Sequence, residues 1–236
     1  MNKLRWIIFG VICAGMLGGL VFLANKDKKD VSQLDPSKIV ASTDTEIGDH
    51  VYGNKNSQVV LFEYGDFQCP SCATAFPQIK TIKEKYKSQI AFVFRNFPLT
   101  SIHPNALSAA TSAEAAGLQG KFWEMHDALY LNQNSWSSAS TSDRNTIFAQ
   151  YASSVGVNAE QYTTDLTSTK IADKIARDRA FAKKLDLTGT PSLLINGQKM
   201  SDEVVSSVVS GDGSKLTAEL DKALKAAGVE PPAKSN

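Results

Sequence analysis

Two thiols stand close together in the sequence CPSC, at Cys69 and Cys72. Thiols at this spacing can form a reversible disulfide, an inert structural disulfide or half of a metal site. A structural zinc site takes about four nitrogen or sulfur ligands, yet the remaining cysteine, Cys13, lies in an apolar N-terminal segment, and no His or Cys pair stands at a matching spacing. The pattern favours a redox-active pair and predicts no metal and no cofactor.

The CPSC motif lies where a strand pattern changes to a helix pattern. The run 59–62 is β-branched and aromatic, whereas apolar residues recur at helical spacing over 73–86. Pro70 suits the first helical position, which places Cys69 at the N-cap, where unpaired N–H groups and the helix dipole favour a thiolate. We therefore predict that Cys69 is the solvent-facing nucleophile and Cys72 the more buried resolving thiol.

The elements after this helix predict an α/β fold. A second strand pattern at 89–97 completes a strand-helix-strand unit with parallel pairing. The stretch from about 103 to 186 is helical throughout and predicts an inserted subdomain. A hairpin turning at Asn196-Gly197 follows, and closing helices are expected at 201–209 and 214–227.

Composition limits the classes of function. The chain has 236 residues, of which 42% are hydrophobic, and this is enough for one domain with a sizeable core. Its formal net charge of +1 and the lack of a basic stripe argue against nucleic-acid binding. After Cys13 the chain holds only the two CPSC cysteines, so a disulfide scaffold is excluded.

The N-terminal segment predicts membrane attachment. Residues 6–24 are uncharged and mostly apolar, and a helix of that length just spans a bilayer core of about 30 Å. The segment is either a signal anchor or a cleaved signal peptide, and its end fits a cleavage site poorly. We expect an anchor, with 1–5 in the cytoplasm, a flexible tether over 25–46 and a disordered tail at 231–236. Since a working disulfide needs an oxidising compartment, we place the domain outside the membrane.

Several short motifs carry a family resemblance. The stretches DHVYGN, VVLFEYGDFQCPSC, FRNFPL, HPNA and QGKFWEMHDALY, between Asp49 and Trp136, and LTGTPSLLING at 187–197 resemble the DsbA-like branch of the thioredoxin superfamily. The resemblance implies a thioredoxin-like domain over 47–230 with the helical insertion inside it. Members of this branch are extracytoplasmic thiol-disulfide oxidoreductases, many of them tethered to the membrane.

Three residues outside CPSC gain a role from the resemblance. Glu63 is an acid in an apolar strand, and it either faces solvent or is buried with a raised pKa; relatives carry a buried acid here that is thought to relay protons to the inner cysteine. Pro191 matches the cis-proline that thioredoxin-like folds place opposite the CxxC, although X–Pro bonds are mostly trans. The backbone of Thr190 would then pair with an extended client peptide.

Other polar and aromatic residues are left with more ordinary roles. We expect Asp66 and Gln68 to form the turn and rim before CPSC, and two histidines to be structural or surface residues. Four aromatic side chains of the insertion either line a client groove or, as we favour, form core. The histidines are His103 and His126, and the aromatics are Phe122, Trp123, Tyr130 and Trp136.

Together, the N-terminal segment, the CPSC motif and the resemblance predict a single-pass enzyme of the cell membrane that introduces disulfides into client proteins with free thiols and is recharged by a quinone-coupled membrane oxidase. Its catalytic residues would be Cys69, Cys72, Glu63 and Pro191, with Thr190 binding substrate. The Pro-Ser pair inside CPSC departs from the Pro-His of the best-known oxidases, which leaves open a reductase or isomerase. A non-enzymatic module that binds metal or clients also stays open.

Overall fold

The fold is described from a computed structural model of the protein, which covers residues 31–233. The predicted cytoplasmic end at 1–5, the predicted membrane helix at 6–24 and the last residues of the predicted disordered tail lie outside this part of the chain. Within it, no helix is both long enough and apolar enough to cross a bilayer.

One mixed sheet contains the strands of residues 31–233, which are β1 (Val51–Gly53), β2 (Val60–Gly65), β3 (Ala91–Asn96), β4 (Ser192–Ile195) and β5 (Gln198–Lys199). Their order across the sheet is β1-β3-β2-β4-β5. β2 and β3 are parallel, as predicted for the strand-helix-strand unit around CPSC, while β1, β4 and β5 are antiparallel to their neighbours.

Within residues 31–233, one helix follows β2, six lie between β3 and β4, and two follow β5. The six helices between β3 and β4 confirm the helical insertion predicted for about 103–186. The helices of the described chain are α1 (Pro70–Tyr86), α2 (Ala106–Leu118), α3 (Phe122–Leu131), α4 (Gln133–Trp136), α5 (Thr141–Ser154), α6 (Ala159–Asp165), α7 (Thr169–Lys184), α8 (Asp202–Val209) and α9 (Ser214–Ala226).

The central strands β2 and β3 are buried along their whole length. On one face of the sheet, Phe62 and Tyr64 belong to a core cluster with Phe181 of α7. On the other face, Leu61 shares a cluster with Ile79 of α1 and Leu216 of α9. Strands covered on both faces have nearly continuous apolar sequences, and this is why the run 59–62 predicted a strand correctly.

A third core cluster belongs to the insertion and includes both CPSC cysteines. Cys69 and Cys72 lie in it together with Phe67 before the motif and with Tyr130 and Trp136 from α3 and α4. The helical insertion therefore packs directly against the turn that carries the thiols.

The predicted flexible tether is wrong for the part that the structure describes. From Val31 onward the segment packs on the sheet, and its carbonyl oxygens accept hydrogen bonds from the buried Arg95 and from the exposed Lys184. Arg95 donates to Pro36 O at 2.5 Å and to Lys38 O at 2.7 Å, and Lys184 donates to Leu34 O at 2.9 Å. The polar composition misled the prediction because backbone carbonyls of any sequence can satisfy an arginine of the core.

A buried ionic network joins this segment, the sheet and the insertion. Arg95 of β3 pairs with Asp49 at 2.8 Å, and Lys174 of α7 lies 3.7 Å from the same carboxylate. Burial alone would raise the pKa of Asp49, but Arg95 and Lys174 lower it to about 2. Since an unpaired buried charge is costly, removal of one partner should destabilise the whole junction.

The end of the domain follows the prediction closely. β4 and β5 form a hairpin whose turn has positive φ at Asn196 (50°) and Gly197 (82°), as a type I′ turn requires. The Asn196 side chain also accepts a hydrogen bond from Val60 N at 2.8 Å, which ties the turn to β2. The closing helices α8 and α9 confirm those expected at 201–209 and 214–227.

Candidate active site

Cys69 lies at the junction of β2 and α1, as its sequence position predicts. Its backbone is extended (φ −68°, ψ 122°) in the N-cap position, and Pro70 is the first helical residue. No side chain caps this end of the helix. The first N–H groups of α1 are thus left facing the Cys69 sulfur.

The turn before Cys69 is built around a buried aspartate. Asp66 Oδ1 accepts from Gln68 N at 2.8 Å, and its carbonyl accepts from Cys69 N at 3.0 Å. Its second carboxylate oxygen accepts from Leu99 N at 2.9 Å and is 2.7 Å from His103 Nδ1. The turn-forming role predicted for Asp66 agrees with these contacts, but the predicted position at the exposed rim is wrong, because Asp66 is 1% exposed.

The sulfur of Cys69 is less accessible than predicted. Cys69 is 7% exposed and Cys72 is fully buried, so the predicted order holds while the solvent-facing position of Cys69 does not. The reason is a contact with a distant loop: Cys69 Sγ donates to the carbonyl oxygen of Thr190 at 3.4 Å. The Thr190 loop therefore partly covers this sulfur.

The two thiols are held in opposite electrostatic environments. A hydrogen bond from the Cys72 side chain is the main cause that lowers the pKa of Cys69 to about 5, with smaller contributions from the Thr190 side chain and the N–H groups of Cys72 and Ser71, while burial opposes them. Burial is the main cause that raises the pKa of Cys72 well above its ordinary value, and the nearby Cys69 and Glu63 raise it further. Cys69 is suited to act as nucleophile and leaving group, and Cys72 to stay protonated.

The Thr190–Pro191 peptide bond is cis. The family resemblance implied this, whereas the general preference of X–Pro bonds predicts trans. Pro191 is buried directly before β4, which pairs with β2, the strand that leads to CPSC. The structure thus brings Thr190 and Pro191 together with Cys69. Their roles in client binding remain predictions.

A shallow groove of about 340 Å³ runs beside the motif. Its walls come from the CPSC turn, the Thr190 loop and α8, and no residue of the helical insertion lines it. No charged side chain lines it. The lining residues are Ser71, Thr190, Pro191, Val205, Ser206, Val209 and Ser210.

The insertion aromatics belong to the core rather than to this groove, as we favoured. Phe122, Tyr130 and Trp136 are at most 4% exposed, and Trp123 is half-buried. Trp136 is held further by its indole N–H, which donates to Leu129 O at 2.9 Å. These side chains pack in the same core cluster as the two thiols.

Glu63 lies on β2 and is 2% exposed, so the solvent-facing alternative is wrong. Burial raises its pKa to about 8, and the charge of Lys83 opposes that rise only in part. A carboxyl group with a pKa near neutrality can give and take protons at physiological pH. The site therefore holds the acid that the predicted proton relay needs.

Sequence reasoning missed the buried lysine near this acid. Lys83 of α1 is 3% exposed and lies over the ring of Trp123, with Nζ 4.6 Å from its centroid and 3.5 Å from Asp127 Oδ1. His126, expected to be a structural or surface residue, is buried, and burial lowers its pKa to about 4. A signal for Lys83 was available, since it shares the helical face of Cys72 and would be buried with it.

No group of three or more His, Cys, Asp or Glu side chains within residues 31–233 is arranged to hold a metal ion. In the same part of the chain, both cysteines of CPSC are free thiols. The described site is a dithiol flanked by a buried acid, a cis-proline loop and an uncharged groove.

A sequence model of the family described as thioredoxin matches residues 45–226. Among solved structures, a thioredoxin-like oxidoreductase from Silicibacter pomeroyi superimposes with a TM-score of 0.60 at 27% identity, covering 75% of this chain and 92% of that one. Wolbachia pipientis α-DsbA1 gives 0.58 at 22% identity, over 77% and 96% of the two chains. BdbD from Bacillus subtilis gives 0.57 at 19% identity, over 69% and 94%.

Curated relatives match a shorter stretch. A protein of Mycolicibacterium vanbaalenii named Na(+)/H(+) antiporter NhaA 1 is 38% identical over 153 residues, which are 63% of this chain and 23% of that protein. A protein of Salinispora tropica named Na(+)/H(+) antiporter NhaA 3 is 36% identical over 151 residues, 64% and 22% of the two chains. The chain thus spans less than a quarter of these relatives, and their antiporter activity is not transferred to it.

Proposed function

The chain belongs to the thioredoxin family and has the fold of its DsbA-like branch, and from this premise we propose that it is a thiol-disulfide oxidoreductase that introduces disulfides into client proteins through CPSC. The observation that carries the proposal is the contrast between the two thiols. Cys69 has a pKa lowered to about 5 at the start of a helix, beside a Cys72 that is fully buried.

The first step is attack on the oxidised enzyme. A client thiolate attacks Cys69 Sγ, the Cys69–Cys72 bond breaks, and a mixed disulfide forms between the client and Cys69. Cys72 departs with the electron pair of the broken bond. Because its surroundings raise the pKa of Cys72 well above the ordinary value, this thiolate must take up a proton, and we assign the buried Glu63 as the acid that supplies it.

The second step releases the oxidised client. A second client thiolate attacks the client sulfur of the mixed disulfide, a client disulfide forms, and Cys69 leaves as a thiolate. The N–H groups of Ser71 and Cys72 stabilise that leaving group. The client loses two electrons and the enzyme gains them as a dithiol.

The low pKa of Cys69 supports the oxidising direction. A thiolate stabilised in the reduced enzyme makes the reduced form more favourable, and every 30 mV of reduction potential corresponds to about 1.4 kcal/mol. A reductase or isomerase on the same fold would show a more reducing couple. Because oxidases and reductases share this fold, the measured reduction potential decides the direction of thiol-disulfide exchange.

Client recognition would use the uncharged groove and the Thr190 loop. Residues Val205 and Val209 supply apolar walls next to Ser71, and these suit a neutral segment on either side of a client cysteine. An extended segment could pair its backbone with Thr190. Such contacts are weak and largely independent of sequence, as an enzyme with many clients requires.

We further propose that residues 6–24 anchor the chain in the cell membrane with the domain on the extracytoplasmic side. The proposal is supported by the uncharged, mostly apolar sequence of this segment and by the need of a working disulfide for an oxidising compartment. Reoxidation would then fall to a quinone-coupled oxidase in the same membrane. A protease added to intact cells should degrade the domain; protection until lysis would rule out this orientation.

The test of function is a redox equilibrium. The full-length chain is incubated with glutathione mixtures, and the Cys69–Cys72 disulfide is quantified by mass spectrometry. We expect a potential well above the value of about −270 mV that is typical of thioredoxin, together with oxidation of a two-cysteine peptide by the oxidised chain. A potential at or below that value indicates a reductase, and lack of exchange together with stoichiometric bound metal indicates a binding module.

A further inference from the structure

A glutamine of the helical insertion donates hydrogen bonds to the backbone on both sides of Gln68, the residue before Cys69. Gln133, the first residue of α4, donates through Nε2 to Phe67 O at 2.8 Å and to Cys69 O at 3.0 Å. Gln133 is 7% exposed. From this geometry we propose that Gln133 is a positioning residue for Cys69, through which the insertion sets the reactivity of the thiol. The inference rests on the proposed function and deepens it.

Both hydrogens of the Gln133 amide are used on this one turn. An amide NH₂ has two donors, and the carbonyls of Phe67 and Cys69 take one each. An apolar side chain could fill the same volume, but it would leave two carbonyl oxygens without this donor. The contact is therefore specific for an amide.

A second side-chain amide, that of Gln68, belongs to the CPSC turn and bonds to the backbone of the insertion. Gln68, between the two carbonyls that Gln133 holds, accepts from Asn105 N at 2.6 Å and donates to Ser137 O at 2.7 Å. Asn105 also donates to Ser137 O at 3.1 Å. The CPSC turn and the insertion thus exchange hydrogen bonds both ways, and the turn cannot rotate without breaking several of them.

The position of the Cys69 carbonyl controls where the sulfur lies. This carbonyl also accepts from Ala73 N at 3.2 Å, the first hydrogen bond of α1. Holding it fixes the extended backbone of Cys69 and keeps Sγ over the N–H groups of Ser71 and Cys72, which help to lower the pKa of Cys69.

The test compares three variants of the full-length chain. Q133E keeps the shape and replaces the donor by a carboxylate; Q133M keeps the length and removes the donor without adding charge. Q150E places the same added charge on an exposed position of α5 and is the matched control. The alkylation rate of Cys69 by iodoacetamide is followed against pH by mass spectrometry of its peptide, and the exchange constant with glutathione is measured in parallel.

We expect Q133E to raise the pKa of Cys69 by about 1 and to make the disulfide about tenfold less oxidising in its exchange with glutathione. Q133M should raise the pKa of Cys69 by about 0.5 and make the disulfide about threefold less oxidising. Q150E should change neither the pKa nor the exchange constant. If Q133E fails to fold, Q133M decides the question. Variants that lose thermal stability but keep the wild-type pH profile and exchange constant would overturn the inference. A wild-type Cys69 that titrates like a free thiol would instead count against the proposed function.

Discussion

Replacement of Glu63 by Gln tests the buried acid directly. Burial raises the pKa of Glu63 from its ordinary value of 4.5 to about 8 in the folded protein. Between these two values the folded chain binds one proton more than the unfolded chain, so the free energy of unfolding decreases as the pH rises. Gln has the same size and does not titrate, and E63Q should therefore escape this loss.

The magnitude follows from the interval between the two pKa values. Each pH unit above 4.5 is worth about 1.4 kcal/mol until the pH reaches about 8. At pH 7 the E63Q variant should consequently be more stable than the wild type by about 3 kcal/mol, and at pH 5 by less than about 1 kcal/mol. The gain in stability should come with a loss of function, because Gln cannot give a proton to the departing Cys72.

The assay is urea unfolding of the reduced full-length chain at pH 5, 6 and 7. E124Q is the matched control, since Glu124 is 47% exposed on α3 and its replacement should change stability by no more than about 0.5 kcal/mol at any of these pH values. Reduction of the oxidised enzyme by a small thiol should be slowed at least about tenfold in E63Q. A stability difference between E63Q and wild type that is the same at pH 5 and pH 7 would refute the account of Glu63 as a buried protonated acid.

Three further predictions concern the thiols and the ionic network. In the reduced chain, alkylation of Cys69 should reach half its maximal rate near pH 5, while Cys72 stays unreactive up to pH 9; equal reactivity of both thiols would contradict the assigned environments. C72A should accumulate client adducts on Cys69, detected as bands that disappear on reduction, and adducts formed only through Cys72 in C69A would reverse the roles. R95M leaves the buried carboxylate of Asp49 without its arginine and should cost about 3 to 5 kcal/mol in urea unfolding; a loss below 1 kcal/mol would show that the network is not needed.

Local patterns predicted most of the secondary structure around the site. The strand at 59–62, the helix that starts after Cys69 and the hairpin at Asn196-Gly197 each follow from periodicity, proline placement or turn chemistry within a few residues. The helical insertion was also visible as a long stretch of helical pattern at about 103–186. These features are encoded by neighbours in the chain, and a single sequence is enough to find them.

Contacts between distant segments account for the errors. The stretch from Val31 onward was expected to be a free tether because it is polar, and Arg95, which holds it, lies 59 residues from Pro36. Cys69 was expected to face solvent, but Thr190, 121 residues away, covers its sulfur. Hydrophobic periodicity in the sequence does not indicate such pairs, because each pair depends on which surfaces the folded chain brings together.

What the sequence determined by itself is the kind of chemistry: two thiols separated by two residues, at the end of a strand and the start of a helix, with a proline that begins that helix. The tertiary structure decided how each sulfur is tuned. Only folding buries Glu63 and Cys72 and closes the Thr190 loop over Cys69, and only folding brings Gln133 to a carbonyl 64 residues away. Burial and long-range hydrogen bonds set the charge that an atom can carry, and neither exists until the chain is folded.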